Sequence, residues 1–430
     1  MNSQLKRLTT RSLSNGIRRF CRILRRYGFG SSKFELVLFG FTGMVKEMGF
    51  IPTIPVTARV VERHPNIFRK ICNDGVELAI HGFKHIDYTA LTPEEIKSHI
   101  MMATSIFKKN NIEFSGFRFP FLRWNEETLE IIRNMGFSYD SSETVVWNVL
   151  ELNDFGRASR LNYYKILDTY NASDFEKMVS LPIWKNGIVE IPVAIPDDDI
   201  LFDRLGIADE ARVYSTFKMM IDGTLERGEL IVLQLHPERY FLYKNALKKI
   251  LEFISNRNDI YCCSMNQISE WWRERRRFRF EIEGKGDGLF RIKAHCSKRA
   301  TILVNNSNDG SRTIFFGSYS IVDAREWTMR SSVRPAVAIS RWSSRGVKDF
   351  IRSEGFAYKI SKTRGDCALF LDIRHDIKEN DKRSILKMID DSGLPVLRFW
   401  RWPYKKRGCV AITGDVDSVD IWDFGERFYG

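Results

Sequence analysis

The sequence predicts an α/β protein whose main unit is a parallel sheet or barrel, joined to a smaller β-rich part. Between residues 35 and 272, short apolar runs alternate with helical runs, the rhythm of repeated βα units. From residue 278 to 342 the pattern changes to strand alternation, as in Phe278, Phe280 and Ile282. The chain has 430 residues, room for about two or three domains. Its 43% hydrophobic and 28% charged residues exclude wholesale disorder and a collagen-like chain.

The elements follow in order. Residues 13–27 place Ile17, Phe20, Cys21, Ile23 and Leu24 on one stripe with arginines opposite, an amphipathic helix that packs on the body or lies on a membrane surface. Residues 1–34 are therefore assigned to an N-terminal segment. Gly75 precedes a strand from Val76 to Ile80. Pro93, with Thr92 as N-cap, opens a helix towards Lys109. Gly116–Pro120 leads into a helix from Asn125 to Asn134, closed by Gly136. Ile188–Ile191 and Leu230–Leu235 read as buried strands, and residues 35–275 form the barrel unit. Residues 276–344 form a β-rich module with an Asn-Asp-Gly turn at 308–310. Residues 345–404 form a small α/β segment. It has a helix near Val347–Ser353, a strand at Ala368–Asp372, a helix over Lys382–Asp391 and a strand at Pro395–Phe399. Residues 405–430 hold one more apolar strand.

Lys plus Arg number 67 against 54 Asp plus Glu, a net charge of +13 that favours anionic partners such as nucleic acid, a membrane surface or an acidic polymer. Two arginine clusters, Arg18, Arg19, Arg22, Arg25, Arg26 and Arg273, Arg275, Arg276, Arg277, Arg279, read as solvated helix faces or linkers. No zinc finger or RNA-binding motif accompanies them, so nucleic acid is not favoured. No run of about 18 apolar residues predicts a spanning helix, and no secretory h-region with a cleavage site is visible. Seven scattered cysteines without a CxxC pair predict neither a disulfide framework nor a zinc ribbon. A cytoplasmic, reducing location is the simpler expectation, with peripheral membrane contact left to the basic N-terminal helix. Nothing in the sequence fixes an oligomeric state.

Four motifs carry chemistry. His81-Gly82-Phe83-Lys84-His85 follows the Val76–Ile80 strand. Two imidazoles four residues apart share one side of a helical turn and can reach one metal ion, although exposed loop histidines give the same pattern. Leu235-His236-Pro237 places a histidine at a strand end, suited to proton transfer or to a structural role. Gly116-Phe117-Arg118-Phe119-Pro120 holds an arginine between aromatics. Finally, the apolar strand Val410–Ile412 runs into Thr413-Gly414-Asp415-Val416-Asp417. Alternate strand residues share a face, so one carboxylate can bind a metal while the other stays free as a base; capping aspartates are the plainer alternative.

In this order and spacing, the motifs of residues 35–272 resemble the polysaccharide deacetylases of carbohydrate esterase family 4, the NodB-homology domain. The similarity is greatest to the branch of peptidoglycan deacetylases and allantoinase-like amidohydrolases. Gly136-Phe137-Ser138-Tyr139-Asp140-Ser141-Ser142 and Val189-Glu190-Ile191-Pro192 complete the match. The resemblance implies a distorted (β/α) barrel of deacetylase type, here with the β-rich module and α/β segment inserted. The family begins with a strand ending in an aspartate pair. Before His81 this chain has only Phe34–Gly40, apolar apart from Glu35 and followed by no acid. The element that resembles the first motif is Gly408–Trp422, which implies a circular permutation. A truncated second domain behind a dead first one is the competing reading.

The resemblance also implies roles. Asp417, His81 and His85 would hold one divalent metal ion; two imidazoles and a carboxylate suit zinc, with other first-row ions open. Asp415 would be the general base, His236 the general acid, Arg118 the partner of Asp415, and Asp198 (or Asp199) the partner of His236. Trp124, Trp147 and Trp184 are candidates for sugar stacking or for the core. The implied activity is removal of N-acetyl groups from a cell-wall or surface polysaccharide or its precursor. Two alternatives stay open: an amidohydrolase acting on a small amide, and a carbohydrate-binding pseudoenzyme.

Overall fold

Short strands with both faces buried build one curled, mainly parallel sheet. The computed structural model describes residues 26–305 and 313–426. Most of the expected 13–27 helix and the turn at 308–310 lie outside the described residues. The sheet takes β1 (Thr53–Val56), β2 (Glu77–Ile80), β3 (Gly116–Phe117), β4 (Tyr139–Asp140), β5 (Thr144–Val146), β6 (Ser173–Asp174), β7 (Ile183–Lys185), β8 (Ile188–Glu190), β9 (Val193–Ile195), β10 (Leu230–Leu235) and β11 (Ile260–Cys262).

Three smaller sheets come from the chain that follows. β12 (Arg279–Gly284), β13 (Leu289–His295) and β17 (Glu326–Arg330) form one antiparallel sheet. β14 (Ile302–Asn305), β15 (Ile314–Phe316), β16 (Tyr319–Val322) and β21 (Val396–Phe399) form a second. β18 (Arg334–Ser340), β19 (Tyr358–Ser361) and β20 (Cys367–Leu371) form a parallel third. The boundary expected at 344/345 is therefore crossed twice. β14 pairs with β21, and β18 lies between β19 and β20. Sequence alternation marks strands but not their partners, so two interleaved sheets read as two consecutive segments.

The last strand, β22 (Gly408–Gly414), returns to the large sheet and lies between β10 and β1. Its register runs from Leu230↔Cys409 to Leu235↔Gly414 on one side, with Thr53↔Thr413 and a bridge Val56↔Val416 on the other. Every residue of β22 is buried. Val410 and Ile412 join the core beneath the surrounding helices, while Cys409 and Ala411 join a second core with Trp271, Trp402, Val337 and Ile339. This division is what a central strand with two covered faces requires.

The helices are set by local signals. Pro93–Lys109 starts in a Thr92/Glu95 capping box and Glu126–Asn134 in an Asn125/Thr128 box. Gly228 ends the Glu210–Arg227 helix at φ +65°, and an added Cβ would meet the Trp400 ring. Residues Phe34–Gly40 belong to one helix, Ser32–Glu47, which crosses the expected boundary at 34/35 and lays Phe34, Val37, Leu38 and Phe41 on the barrel.

The arginine run after Trp272 is divided: Arg277 and Arg279 are exposed, as expected of a solvated face, while Arg273 and Arg276 are half-buried and Arg275 is buried. Arg275 is buried and donates to the carbonyls of Phe399 and Trp400; burial pushes it down to about 9. Arg273 donates to the Ser138 and Gly187 carbonyls, and Arg276 lies 4.2 Å from the Trp184 ring. Carbonyls at loop ends need donors once neighbouring elements cover them, and guanidinium supplies several.

A buried central position for β22 predicts a large cost for Ile412→Ala. Urea denaturation should show a loss of about 2–5 kcal/mol, whereas an exposed rim strand would lose far less.

Candidate metal and acid–base site

Parallel strands bring their C-terminal ends to one rim of the barrel, and the expected site residues follow such ends closely, His81, Arg118, His236 and Asp415 directly and Asp417, Asp198 and His85 a few positions later. His81 follows β2, Arg118 follows β3, His236 follows β10, and Asp415 and Asp417 follow β22. The ladder continues briefly beyond the strands: Asp415 N donates to Leu235 O, Val416 N to Pro55 O and His81 N to Val56 O. The first two of these bonds place residues 180 and 361 positions apart in sequence side by side.

His81 and His85 converge, though not through the helical turn expected. Residues 81–87 form an irregular loop. Gly82 turns at φ +79°, where an added Cβ would press on the Tyr88 ring. The Tyr88 hydroxyl accepts from Phe83 N and pins the loop. The Nε2 atoms of His81 and His85 each lie 3.4 Å from Asp417 Oδ1. His81 Nδ1 lies 2.8 Å from the Arg118 carbonyl, an acceptor, so this nitrogen carries the proton and Nε2 presents its lone pair. Burial pushes His81 down to about 4, which keeps the ring neutral. The three ligand atoms lie within 4.8 Å of one another. Two imidazole nitrogens and a carboxylate oxygen on one side of a cleft fit a divalent ion.

Asp415 is buried at 1% exposure beside its partners. Arg118 Nη1 donates to Oδ1 at 2.5 Å and Gln234 Nε2 to Oδ2 at 3.1 Å. Arg118 is itself fixed, donating to Thr413 Oγ1, the Ser141 carbonyl and Ser141 Oγ. Removing one partner of so buried a pair would strand a charge, at about 3–5 kcal/mol.

His236 Nδ1 donates to Asp198 Oδ1 at 2.6 Å, and His236 N donates to Asp198 Oδ2 at 3.1 Å. Asp199, the other sequence candidate, instead accepts from Arg239 and Arg204. Burial opposes a charged His236, but Asp198 outweighs it and raises the imidazole to about 9. Asp198 is itself held below the usual carboxylate range: burial works against this, and His236 and Arg239 overcome it. The neighbouring Asp197 is pushed up to about 7 by burial, then by Asp199 and Asp198.

Two other groups of carboxylates and histidine occur among the described residues. In His64, Asp420 and Asp423, the Asp423 carboxylate is met by Arg63 at 2.8 Å, and its Oδ2 accepts from Val419 N. In Asp197, Asp198 and His236, Arg239 lies 3.6 Å from Asp198. Each already has a cation, so neither matches the His81, His85, Asp417 set as a metal site.

Beside that set opens a cleft of about 290 Å³ lined by Thr57, Arg59, Val60, Lys84, His85, Asp417, Asp423 and Glu426. Phe121, 43% exposed and at φ +60°, leans on His85 with ring centroids 4.2 Å apart. Of the tryptophans considered for sugar stacking, Trp147 is 2% exposed and stacked on Phe175, a core residue. Trp124 and Trp184 are half-buried, under Lys185 and Arg276 respectively.

Gln234, Thr413, Ser141 and Arg239 were not singled out from the sequence. A lone amide in the apolar strand Leu230–Leu235 was the available signal for Gln234. The other three carry no local signal, because their partners are remote in sequence.

Residues 41–139 match the family model described as polysaccharide deacetylase. A peptidoglycan deacetylase-like protein, FGM2, of Gibberella zeae is 33% identical over 86 residues, which is 19% of this chain and 25% of that protein. The match thus spans a quarter of that relative's length. Among solved structures, a probable polysaccharide deacetylase from Pseudomonas aeruginosa PAO1 is 17% identical with a TM-score of 0.44, covering 55% of this chain and 72% of that one. An allantoinase, Puue, gives 17% identity and a TM-score of 0.43 over the same shares.

The His236 geometry carries a prediction with a defined sign. Its folded value of about 9 exceeds the unfolded value of about 6.5. Its stabilising contribution is therefore complete below about pH 6.5 and is lost as pH rises through about 9. In Asp198→Asn, histidine NMR should show His236 titrating below its parent value. Urea midpoints should lose this fall between neutral and alkaline pH.

Proposed function

We propose, from the premise that the barrel is that of a polysaccharide deacetylase, that this chain is a metal-dependent hydrolase. It removes N-acetyl groups from a cell-wall or surface polysaccharide or its precursor. The observation that carries this reading is the return of β22 between β10 and β1, which sets Asp415 and Asp417 against Arg118, Gln234, His81 and His85. We take the chain to be circularly permuted: the strand that opens the domain in the family's order stands last here. In this layout residues 35–275 and 405–430 make one catalytic unit, and the sheets between them are an insertion.

Asp417, His81 and His85 would hold the ion, and zinc suits their donor set. Such an ion would polarise the acetamide carbonyl and ease the ionisation of water. Asp415, held in place by the Arg118 guanidinium, takes the proton of the attacking water as general base. Gln234 holds the second carboxylate oxygen, so the base cannot swing away. His236 enters as the imidazolium that Asp198 favours, and its Nε2–H protonates the leaving amine as general acid. Because Nδ1 is committed to Asp198, only Nε2 can face the substrate.

Two variants separate the roles. Asp417→Asn should lower metal content well below the parent's, read by elemental analysis of purified protein. Asp415→Asn should keep the metal yet lower acetate release from N-acetylated oligosaccharides by about 100-fold or more. Equal metal in the parent and Asp417→Asn would overturn the ligand assignment.

A further inference from the structure

Two sequence motifs that carry no reacting group meet beside the residues that hold Arg118. Asp140 ends β4 and Glu190 ends β8, and the two are direct partners in the parallel ladder. Paired residues project from the same face of a sheet, so the carboxyls stand side by side, and each is 0% exposed. One oxygen of each has its donors. Glu190 Oε1 accepts from Ser142 N at 3.1 Å and from Glu143 N at 2.9 Å. Asp140 Oδ1 accepts from Ser142 Oγ at 3.0 Å, and that hydroxyl oxygen accepts from Phe119 N at 2.8 Å. Asp140 Oδ2 and Glu190 Oε2 are buried with no other donor. The two carboxyls lie within hydrogen-bonding reach of each other, and burial, then Glu190, push Asp140 well above the usual carboxylate range. Lys185, the cation that faces them, is already matched by Glu143 at 3.3 Å. Two ionised carboxylates would repel here, whereas one proton between them makes a hydrogen bond. Among the described residues, no third ligand side chain joins the pair to hold a metal ion instead.

We infer that Asp140 and Glu190 share one proton, and that this acid pair is a positioning element for Asp415, acting through residues 141–143 and Arg118. Ser141 links the two ends. Its carbonyl accepts from Arg118 Nε at 2.9 Å; its Oγ accepts from Arg118 Nη2 at 3.0 Å and donates to Ile191 O at 2.8 Å. Ser142 and Glu143, the next two residues, are the ones tied to the pair. A pair that loosens lets Ser141 shift, and the guanidinium that grips Asp415 shifts with it. This rests on the deacetylase reading above, in which Asp415 is the base, and adds the element that holds the base in place.

The test uses the full chain. Infrared difference spectra of the parent against Asp140→Asn, taken at about pH 8, read the carbonyl stretch of a protonated carboxylic acid. The parent should hold one such band that Asp140→Asn lacks. Acetate release and crystal structures then read the positioning role. Asp140→Ala should lower kcat about tenfold, with KM and metal content little changed. Asp140→Asn keeps an acceptor for Ser142 and a donor for Glu190, and should restore most of that loss. The double variant Asp140→Asn/Glu190→Gln keeps the volume but sets two amide N–H groups against each other. It should again lose about tenfold in kcat, with the Arg118–Asp415 bond lengthened. Absence of the difference band would overturn the shared proton. Full kcat and an intact Arg118–Asp415 bond in the double variant would overturn the positioning role and leave the deacetylase reading standing. No acetate from the parent, with the band lost in Asp140→Asn and the bond lengthened in the double variant, would overturn the deacetylase reading and leave the acid pair and its hold on Arg118 standing.

Discussion

The backbone ladder of β22 is the constraint on which the rest of the molecule depends. Without it, β10 and β1 would face each other across a gap, each with a row of unpaired N–H and C=O groups inside a covered sheet. Such groups cannot be left unsatisfied at tolerable cost. The ladder does more than close the gap. Its register of Leu235↔Gly414 and the bridge Val56↔Val416 determine that Asp415 leaves the sheet beside Arg118 and Gln234, and that Asp417 leaves it beside the two imidazoles. A slip of one residue would turn both carboxylates to the opposite face, since side chains alternate along a strand.

Around this strand the site separates its charges into two networks. Asp415 is bound to Arg118, and Arg118 is held by Ser141 and Thr413. His236 is bound to Asp198, which shares Arg239 with Asp199 and Asp203. The first network presents a carboxylate fixed at both oxygens. The second presents an imidazole raised to about 9 beside a carboxylate held low. A fixed carboxylate and a raised imidazole on one rim are the parts that a division of labour between base and acid requires. His81 is pushed the other way by burial, which its hydrogen bond to the Arg118 carbonyl offsets only in part. Three environments therefore give three kinds of histidine or carboxylate chemistry within one cleft.

The sheets between β11 and β22 carry a structural burden as well. Trp271, Trp272, Trp400 and Trp402 join barrel residues such as Leu230 and Val232 to Val337 and Ile339 in one core. Glu354 sits among Arg398 and Arg401, while Arg275 bridges from the barrel to the carbonyls of residues 399 and 400. The chain must travel from β11 back to β22, and these packed sheets hold the start of β22 in place. Arg407 and Gly408 both donate to the Asp259 carbonyl at the turn into the strand.

Much of this was legible in residues alone. The βα rhythm, the Thr92 and Asn125 caps, the buried strands at 188–190 and 230–235, and the strand-end placement of the histidines and aspartates all rest on local patterns. Such patterns report the period of an element and the identity of its ends. They left Phe34–Gly40 without an element, because a short apolar run suits a buried strand as well as the helix it belongs to. They also placed His81 and His85 on a helical turn where Gly82 makes a loop. The motif order pointed to a last strand that returns, but its neighbours, its register and the choice of Asp198 over Asp199 emerge only in three dimensions. The same holds for Gln234 as the second partner of Asp415 and for the interleaving of β14 with β21 and of β18 with β20. The sequence by itself determined which residue types stand at the ends of which strands, because hydrophobic period and turn chemistry are local. The tertiary structure alone decided which of those ends meet, because strand pairing and the balance of buried charge are settled between segments some 300 residues apart.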